Sequence, residues 1–139
     1  MKMVLVFDND GVLRDESISY QRCILETVAF FGNNVPASEE ELVDSMKQSN
    51  NDWERTHMIL LQRGLKIDFE KVKEHFQNLY LGKARDFSGY INDELWLADI
   101  EQLEQLACKY PLAIISGAPR EELLYTLRKN RAADFFSFI

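Results

Sequence analysis

The amino-acid sequence predicts an α/β fold in which a short parallel sheet is interrupted after its first strand by an all-helical insertion. Three observations carry that expectation. Met3-Val4-Leu5-Val6-Phe7 and Leu112-Ala113-Ile114-Ile115 are apolar runs of strand length, and each stops at a polar, glycine-containing turn. Between them lies a long stretch whose apolar residues recur at helical spacing. A helix on each side of the second run completes an alternation of strand and helix, the pattern of helices packed on a parallel sheet.

The elements follow in order. Residues 3–7 read as a strand buried on both faces, as central parallel strands are. From Asp15 to about Phe31 the period becomes helical, with Ile24, Val28 and Phe31 on one face and Gly32-Asn33-Asn34 as the stop. Ser38 with Glu41 three residues on is a capping-box pattern, and Leu42, Val43 and Met46 supply the stripe behind it. Asn50-Asn51-Asp52 offers an N-cap ahead of Trp53, Thr56, Ile59 and Leu60, with Gly64 as the C-terminal stop. After Asp68, the positions Phe69, Val72, Phe76, Leu79 and Tyr80 form a fourth helical face. Residues 86–93 read as a connection, rich in turn formers. Asp99 and Gln102 then open a helix that buries Ile100, Leu103, Leu106 and Ala107 and closes at Pro111. Beyond the second strand, Pro119 suits the first position of a helix burying Leu123, Leu124 and Leu127 and stopping near Asn130. Residues 133–139 are largely apolar, with a third strand expected near Phe136. The division this implies is an α/β core from 1–14 and 96–139, and a helical cap with its connecting segment over 15–95.

Composition narrows the function. Sixteen Lys and Arg against twenty-three Asp and Glu give a net charge of −7, which opposes the counterion release behind most nucleic-acid binding. No apolar run approaches membrane-spanning length, so neither nucleic acid nor membrane is an expected partner. Cys23 and Cys108 are isolated thiols without CxxC spacing, the usage of a reducing cytoplasm. A phosphorylated small molecule would have to be held by local donors or a metal, because the overall field repels it.

Two clusters carry chemistry. Asp8 and Asp10 stand at the carboxyl end of the first strand, where open α/β sheets bind ligands. With Gly11 to turn the chain, the two carboxylates suit one hard cation such as magnesium, which prefers oxygen ligands and shares its sphere with phosphate. In such a site Asp8 can attack phosphorus while Asp10 handles the leaving-group proton. The second cluster, Ser116 and Gly117, lies at the end of the other strand ahead of a helix, an arrangement that can take a phosphate oxygen. Taken singly, each cluster also reads as an ordinary turn.

Together the stretches Val4-Leu5-Val6-Phe7-Asp8-Asn9-Asp10-Gly11-Val12-Leu13-Arg14-Asp15 and Ala113-Ile114-Ile115-Ser116-Gly117-Ala118-Pro119-Arg120 resemble the first and second motifs of the haloacid dehalogenase (HAD) superfamily, in its phosphoglycolate-phosphatase-like branch with a helical cap. The resemblance implies a HAD-type Rossmann-like parallel sheet with an inserted cap, and a magnesium-dependent phosphatase acting on a small phosphorylated metabolite through an aspartyl-phosphate. By it Asp8 is the nucleophile, Asp10 the general acid and base, Ser116 the phosphate-binding hydroxyl, and Mg2+ is held by the Asp8 side chain and the Asp10 carbonyl. An acid at position 10 favours phosphoryl transfer over dehalogenation. The family's third motif, a Lys or Arg, and its fourth, an acidic pair, should follow the stretch resembling residues 135–139, where this sequence stops. Lys129 and Arg131 do not replace them. The expectation is therefore a C-terminally truncated, partial core whose activity alone is weak or absent.

Asn51 at a cap-helix entry, and Arg14 and Arg120 close behind the two motifs, are candidate substrate contacts. His57 and His75, on different expected helices, do not suggest a zinc site. The alternative to a phosphatase is a catalytically incomplete interaction module, or one part of a split protein. In that case an exposed apolar sheet edge would drive homo-oligomerisation or pairing with a complementing chain. A phosphoacceptor signalling domain ranks last, because its acceptor Asp lies on a later strand than its acidic metal pair.

Overall fold

The computed structural model describes residues 3–139. In chain order the elements are β1 (Leu5–Phe7), β2 (Arg14–Asp15), α1 (Ser17–Phe31), α2 (Glu39–Met46), α3 (Asp52–Gln62) and α4 (Phe69–Leu81). A 3-10 turn at Tyr90–Asp93 leads to β3 (Leu95–Trp96), α5 (Ile100–Ala107), β4 (Leu112–Ile114), α6 (Arg120–Lys129) and β5 (Phe136–Phe138). The chain divides into two units, an α/β unit ending at Glu16 and resuming at Glu94, and a helical unit, Ser17–Asp93.

In the α/β unit three strands run parallel in the order β1-β4-β5, with Phe7 beside Ile114 and Leu112 beside Phe136. Alternation along the strands sends Leu5, Phe7, Leu112, Ile114 and Phe136 to one face, where Leu103 and Leu106 of α5 and Leu123 and Leu127 of α6 meet them. Phe7 and Phe136 touch edge to face, with centroids 5.9 Å apart. Each fully buried side chain of this size contributes about 1.5–3 kcal/mol. This layer holds β1 and β4 in register and so fixes where their ends emerge.

The first strand departs from expectation. It begins at Leu5 rather than Met3, and it is not buried on both faces: Val4 and Val6 are exposed. The apolar cluster of this unit lies on the α5 and α6 side of the sheet, so the alternate residues of β1 lack that cover. Asp15, expected to start a helix, instead belongs to a two-residue antiparallel ribbon in which Arg14 pairs with Trp96 and Asp15 with Leu95. Helix α1 starts two positions later at Ser17, and the unit boundaries shift from 14/15 and 95/96 to 16/17 and 93/94.

In the helical unit α1 packs on α3 and α4. Its interior is made by Cys23, Ile24 and Val28, by Ile59 and Leu60, and by Val72, Phe76 and Tyr80. The Ser38 capping box forms in both directions, with Glu41 N donating to Ser38 Oγ at 3.2 Å and Ser38 N to the Glu41 carboxylate at 2.8 Å. The α2 stripe differs from the reading of the sequence. Val43 and Met46 are exposed, while Ser45 is buried. Ser45 donates to the Leu42 carbonyl at 2.8 Å and accepts from Arg55 Nε at 3.2 Å, so α2 meets α3 through a polar seam. Among the described residues no helix is long and apolar enough to cross a membrane.

Candidate functional site

The site lies where β1 and β4 end. Ile115 N donates to the Phe7 carbonyl at 3.0 Å, extending the parallel ladder by one step beyond β4. Asp8 follows Phe7 and Ser116 follows Ile115, so both leave the same end of adjacent strands. A parallel sheet brings these distant residues together because all its strands present their carboxyl ends on one side.

After β1 the chain folds back tightly. Leu13 N and Arg14 N both donate to the Asn9 carbonyl, at 2.8 and 3.1 Å, and Gly11 N donates to the Arg14 carbonyl at 2.8 Å. Gly11 has φ +72°, the left-handed region that side chains disfavour, which is the reason for glycine at the turn. Asp8 is exposed, with Oδ1 accepting from Asn9 N at 2.7 Å. Asp10 is half-buried, and its Oδ1 accepts from both Asn9 Nδ2 and Arg14 Nε at 2.8 Å. The two carboxylates thus differ: Asp8 projects into solvent, whereas Asp10 is oriented through one oxygen.

Arg14 is the correction among the candidate contacts. It is wholly buried, and its guanidinium bridges Asp10 and the nearly buried Glu94 carboxylate, the latter at 2.9 Å. A buried cation holds its place only through such partners. Arg14 therefore anchors the loop and is not available as a phosphate clamp.

Glu16 also touches the loop, accepting from Gly11 N at 3.0 Å. Burial pushes its carboxyl upward, and the neighbouring charge of Asp10 adds to the shift. Asn9 is fully buried between the two acids, and its Oδ1 has no hydrogen-bond partner among the described residues.

On β4's side, Ser116 Oγ accepts from Ala118 N at 3.1 Å, which orients the hydroxyl and leaves its proton to donate. Gly117 is exposed, and a Cβ built there would meet nothing within 4 Å, so its backbone is open to a ligand. Pro119 opens α6 without a side-chain cap, and Glu121 and Glu122 fill the first turn. Arg120 is exposed at the start of α6, and its guanidinium donates to the Ile139 carbonyl. Asn51 lies in the helical unit, where its side chain caps α3 by accepting from Glu54 N at 3.0 Å.

The sequence reading missed Asn9, Glu16 and Glu94. A polar residue inside the DxD pattern was the available signal for Asn9. Glu94 has none, because it meets Arg14 from eighty positions away.

For a cation the donor set is small but chemically suitable. Among the described residues no group of three or more His, Cys, Asp or Glu converges. The two acids of the loop are oxygen donors of the kind magnesium takes one or two at a time, with waters and phosphate filling the remainder of the sphere.

No family model matches the chain. A curated relative, an imidazoleglycerol-phosphate dehydratase of Phytophthora nicotianae, is 29% identical over 139 aligned residues, covering 95% of this chain and 30% of that protein. Among solved structures, phosphatase Tt82 from Thermococcus thioreducens superposes with a TM-score of 0.74 at 19% identity, covering 91% of this chain and 68% of that one. A haloacid dehalogenase-like family hydrolase from Streptococcus pneumoniae does so with a TM-score of 0.68 at 19% identity, covering 99% and 60%. The chain therefore spans less than a third of the curated relative and 60% of the streptococcal hydrolase. Likeness at these identities speaks to architecture: the chain has the haloacid dehalogenase-type α/β fold, with a parallel sheet and a helical insertion after the first strand.

Proposed function

We propose that the β1 and β4 ends form a phosphoryl-transfer site that hydrolyses a small phosphomonoester. The observation that carries this reading is the adjacency of the two strand ends, which bring a paired-acid loop and a Ser-Gly anion turn to one edge of the sheet. Asp8, the exposed acid, is the nucleophile: its carboxylate attacks phosphorus, the ester oxygen leaves, and an aspartyl-phosphate results. Asp10 gives its proton to the leaving oxygen, then takes one from the water that hydrolyses the acyl phosphate and restores Asp8. Its fixed Oδ1 leaves Oδ2 for that exchange. The Ser116 hydroxyl and the backbone around Gly117 donate to phosphate oxygens.

Magnesium, held by the Asp8 carboxylate and the Asp10 carbonyl, would supply charge neutralisation at the transferring phosphate. The need for it is acute in this chain. Its net charge is −7, and Arg14 is buried in its pairs with Asp10 and Glu94. With Arg14 unavailable to the phosphate, turnover by the 139-residue chain is expected to be slow.

The test is release of inorganic phosphate from an aryl phosphate by the purified chain with and without magnesium. Release that requires magnesium and disappears in Asp8→Asn is the expected result. Absence of release from the folded wild type, or release unchanged in Asp8→Asn, would overturn the reading.

A further inference from the structure

A carboxyl group passes a proton to a leaving oxygen only when it is aimed at that oxygen, and Asp10 is aimed by a chain of side chains. Its Oδ1 accepts from Asn9 Nδ2 and from Arg14 Nε, each at 2.8 Å. Asn9 is a neighbour within the same loop, but Arg14 is held from outside it: Arg14 Nη1 donates to Glu94 Oε2 at 2.9 Å. The register of the β2-β3 ribbon makes this contact. Arg14 pairs with Trp96, and Glu94 stands two positions before Trp96, the spacing that returns a side chain to the same face of a strand. A long side chain spans the diagonal between such positions. Exposure falls along the chain, from 32% for the Asp10 side chain to 0% for Arg14 and 3% for Glu94.

We propose that Glu94 is a positioning residue for proton transfer at Asp10, acting through Arg14; the inference rests on the phosphoryl-transfer reading above. Charge and geometry both support it. A guanidinium taken wholly out of water needs more than one part-exposed carboxylate, and Glu94 supplies a second, buried acid on another nitrogen of the fork. With Nε and Nη1 both committed, the guanidinium plane is fixed at two points, and the Asp10 carboxyl is held through it. Both bonds to Asp10 fall on Oδ1, so Oδ2 remains for the exchange. There it gives its proton to the ester oxygen as the phosphorus-oxygen bond breaks. It then takes a proton from the water that attacks the acyl phosphate, which frees Asp8. Without Glu94, Arg14 loses its second anchor and the carboxyl loses its aim. Misplacing a catalytic group by about 1 Å through a distant change can cost about a hundredfold in rate.

The test compares leaving groups. 4-Nitrophenolate departs without a proton, whereas an alkoxide needs one, and kcat/KM reads the steps up to that departure. In Glu94→Leu, kcat/KM for 2-phenylethyl phosphate should fall at least about tenfold further than that for 4-nitrophenyl phosphate. Glu94→Gln, which keeps an acceptor for Arg14, should recover most of that difference. A loss of fold would instead lower both esters alike, and circular dichroism establishes which variants fold. Should Glu94→Leu not fold, the isosteric changes Asp10→Asn and Glu94→Gln read the same link in chemical denaturation. Because the two acids compensate one buried cation, the double variant should raise the unfolding constant by more than about twofold beyond the product of the single effects. Equal loss on both esters in folded Glu94→Leu, or additive effects in the cycle, would overturn the positioning role alone. No phosphate from either ester with the folded wild type would overturn the phosphoryl-transfer reading, and this role with it.

Discussion

Arg14 shows how one residue can look like chemistry in the sequence and act as architecture in the fold. Its position four residues after Asp10 suggested a phosphate contact, but the guanidinium is buried and joins Asp10 to Glu94. Removing it would break a buried ion pair with the nearly buried Glu94 carboxylate, so Arg14→Leu should destabilise the α/β unit by about 3–5 kcal/mol in chemical denaturation. Arg14→Lys should recover only part of that loss, because an ammonium cannot reproduce the fork that reaches both acids. A second arginine acts in the helical unit. Arg63 donates to both oxygens of Glu41, at 2.7 Å each, and to the carbonyls of Val35 and Pro36 at 2.8 Å. Its bonds hold the Glu41 carboxyl down at about 2, against an ordinary 4.5. A depressed carboxylate stabilises the folded state above its unfolded value and ceases to do so as pH falls through the folded one. The contribution of this half-buried pair, on the order of 1 kcal/mol, should thus be present above pH 4.5 and fade toward pH 2. The gap between thermal melts of wild type and Arg63→Met should narrow toward the acid end of that interval, leaving the part that the bonds to the Val35 and Pro36 carbonyls supply.

At the scale of elements, caps and strand ends were legible because their signals are local. Ser38 with Glu41, Asn51, and Asp99 ahead of Gln102 all cap as their spacing indicates. Ser38→Ala should therefore lower stability by about 1 kcal/mol in the same denaturation assay. The motif loop and the Ser-Gly turn were legible for the same reason, each following an apolar run that ends abruptly. The illegible features depend on partners distant in sequence. Arg14 and Asp15 make too short a strand to show a period, and their pairing with Trp96 and Leu95 joins residues some eighty positions apart. Helix α2 carries an apolar stripe in sequence, yet Arg55 reaches across to Ser45 and turns that contact polar. Burial of β1 on both faces was a fair inference from an unbroken apolar run, but such a run cannot reveal how many layers cover a sheet.

The whole molecule combines a core covered on one side with a helical insertion that has its own apolar interior. Its likeness to solved phosphatases and hydrolases of the haloacid dehalogenase type rests on that architecture, and the chain spans 60% to 68% of the two compared above. The architecture gives one end of the sheet an exposed acid, an oriented acid and an open Ser-Gly turn. The central claim is that Asp8 attacks phosphorus. Mass spectrometry of the acid-quenched reaction of the chain with an aryl phosphate and magnesium tests it most directly. The account predicts one phosphoryl group on the peptide containing Asp8, absent in Asp8→Asn. No label in the folded wild type, or a phosphoryl group on Ser116 instead, would contradict it.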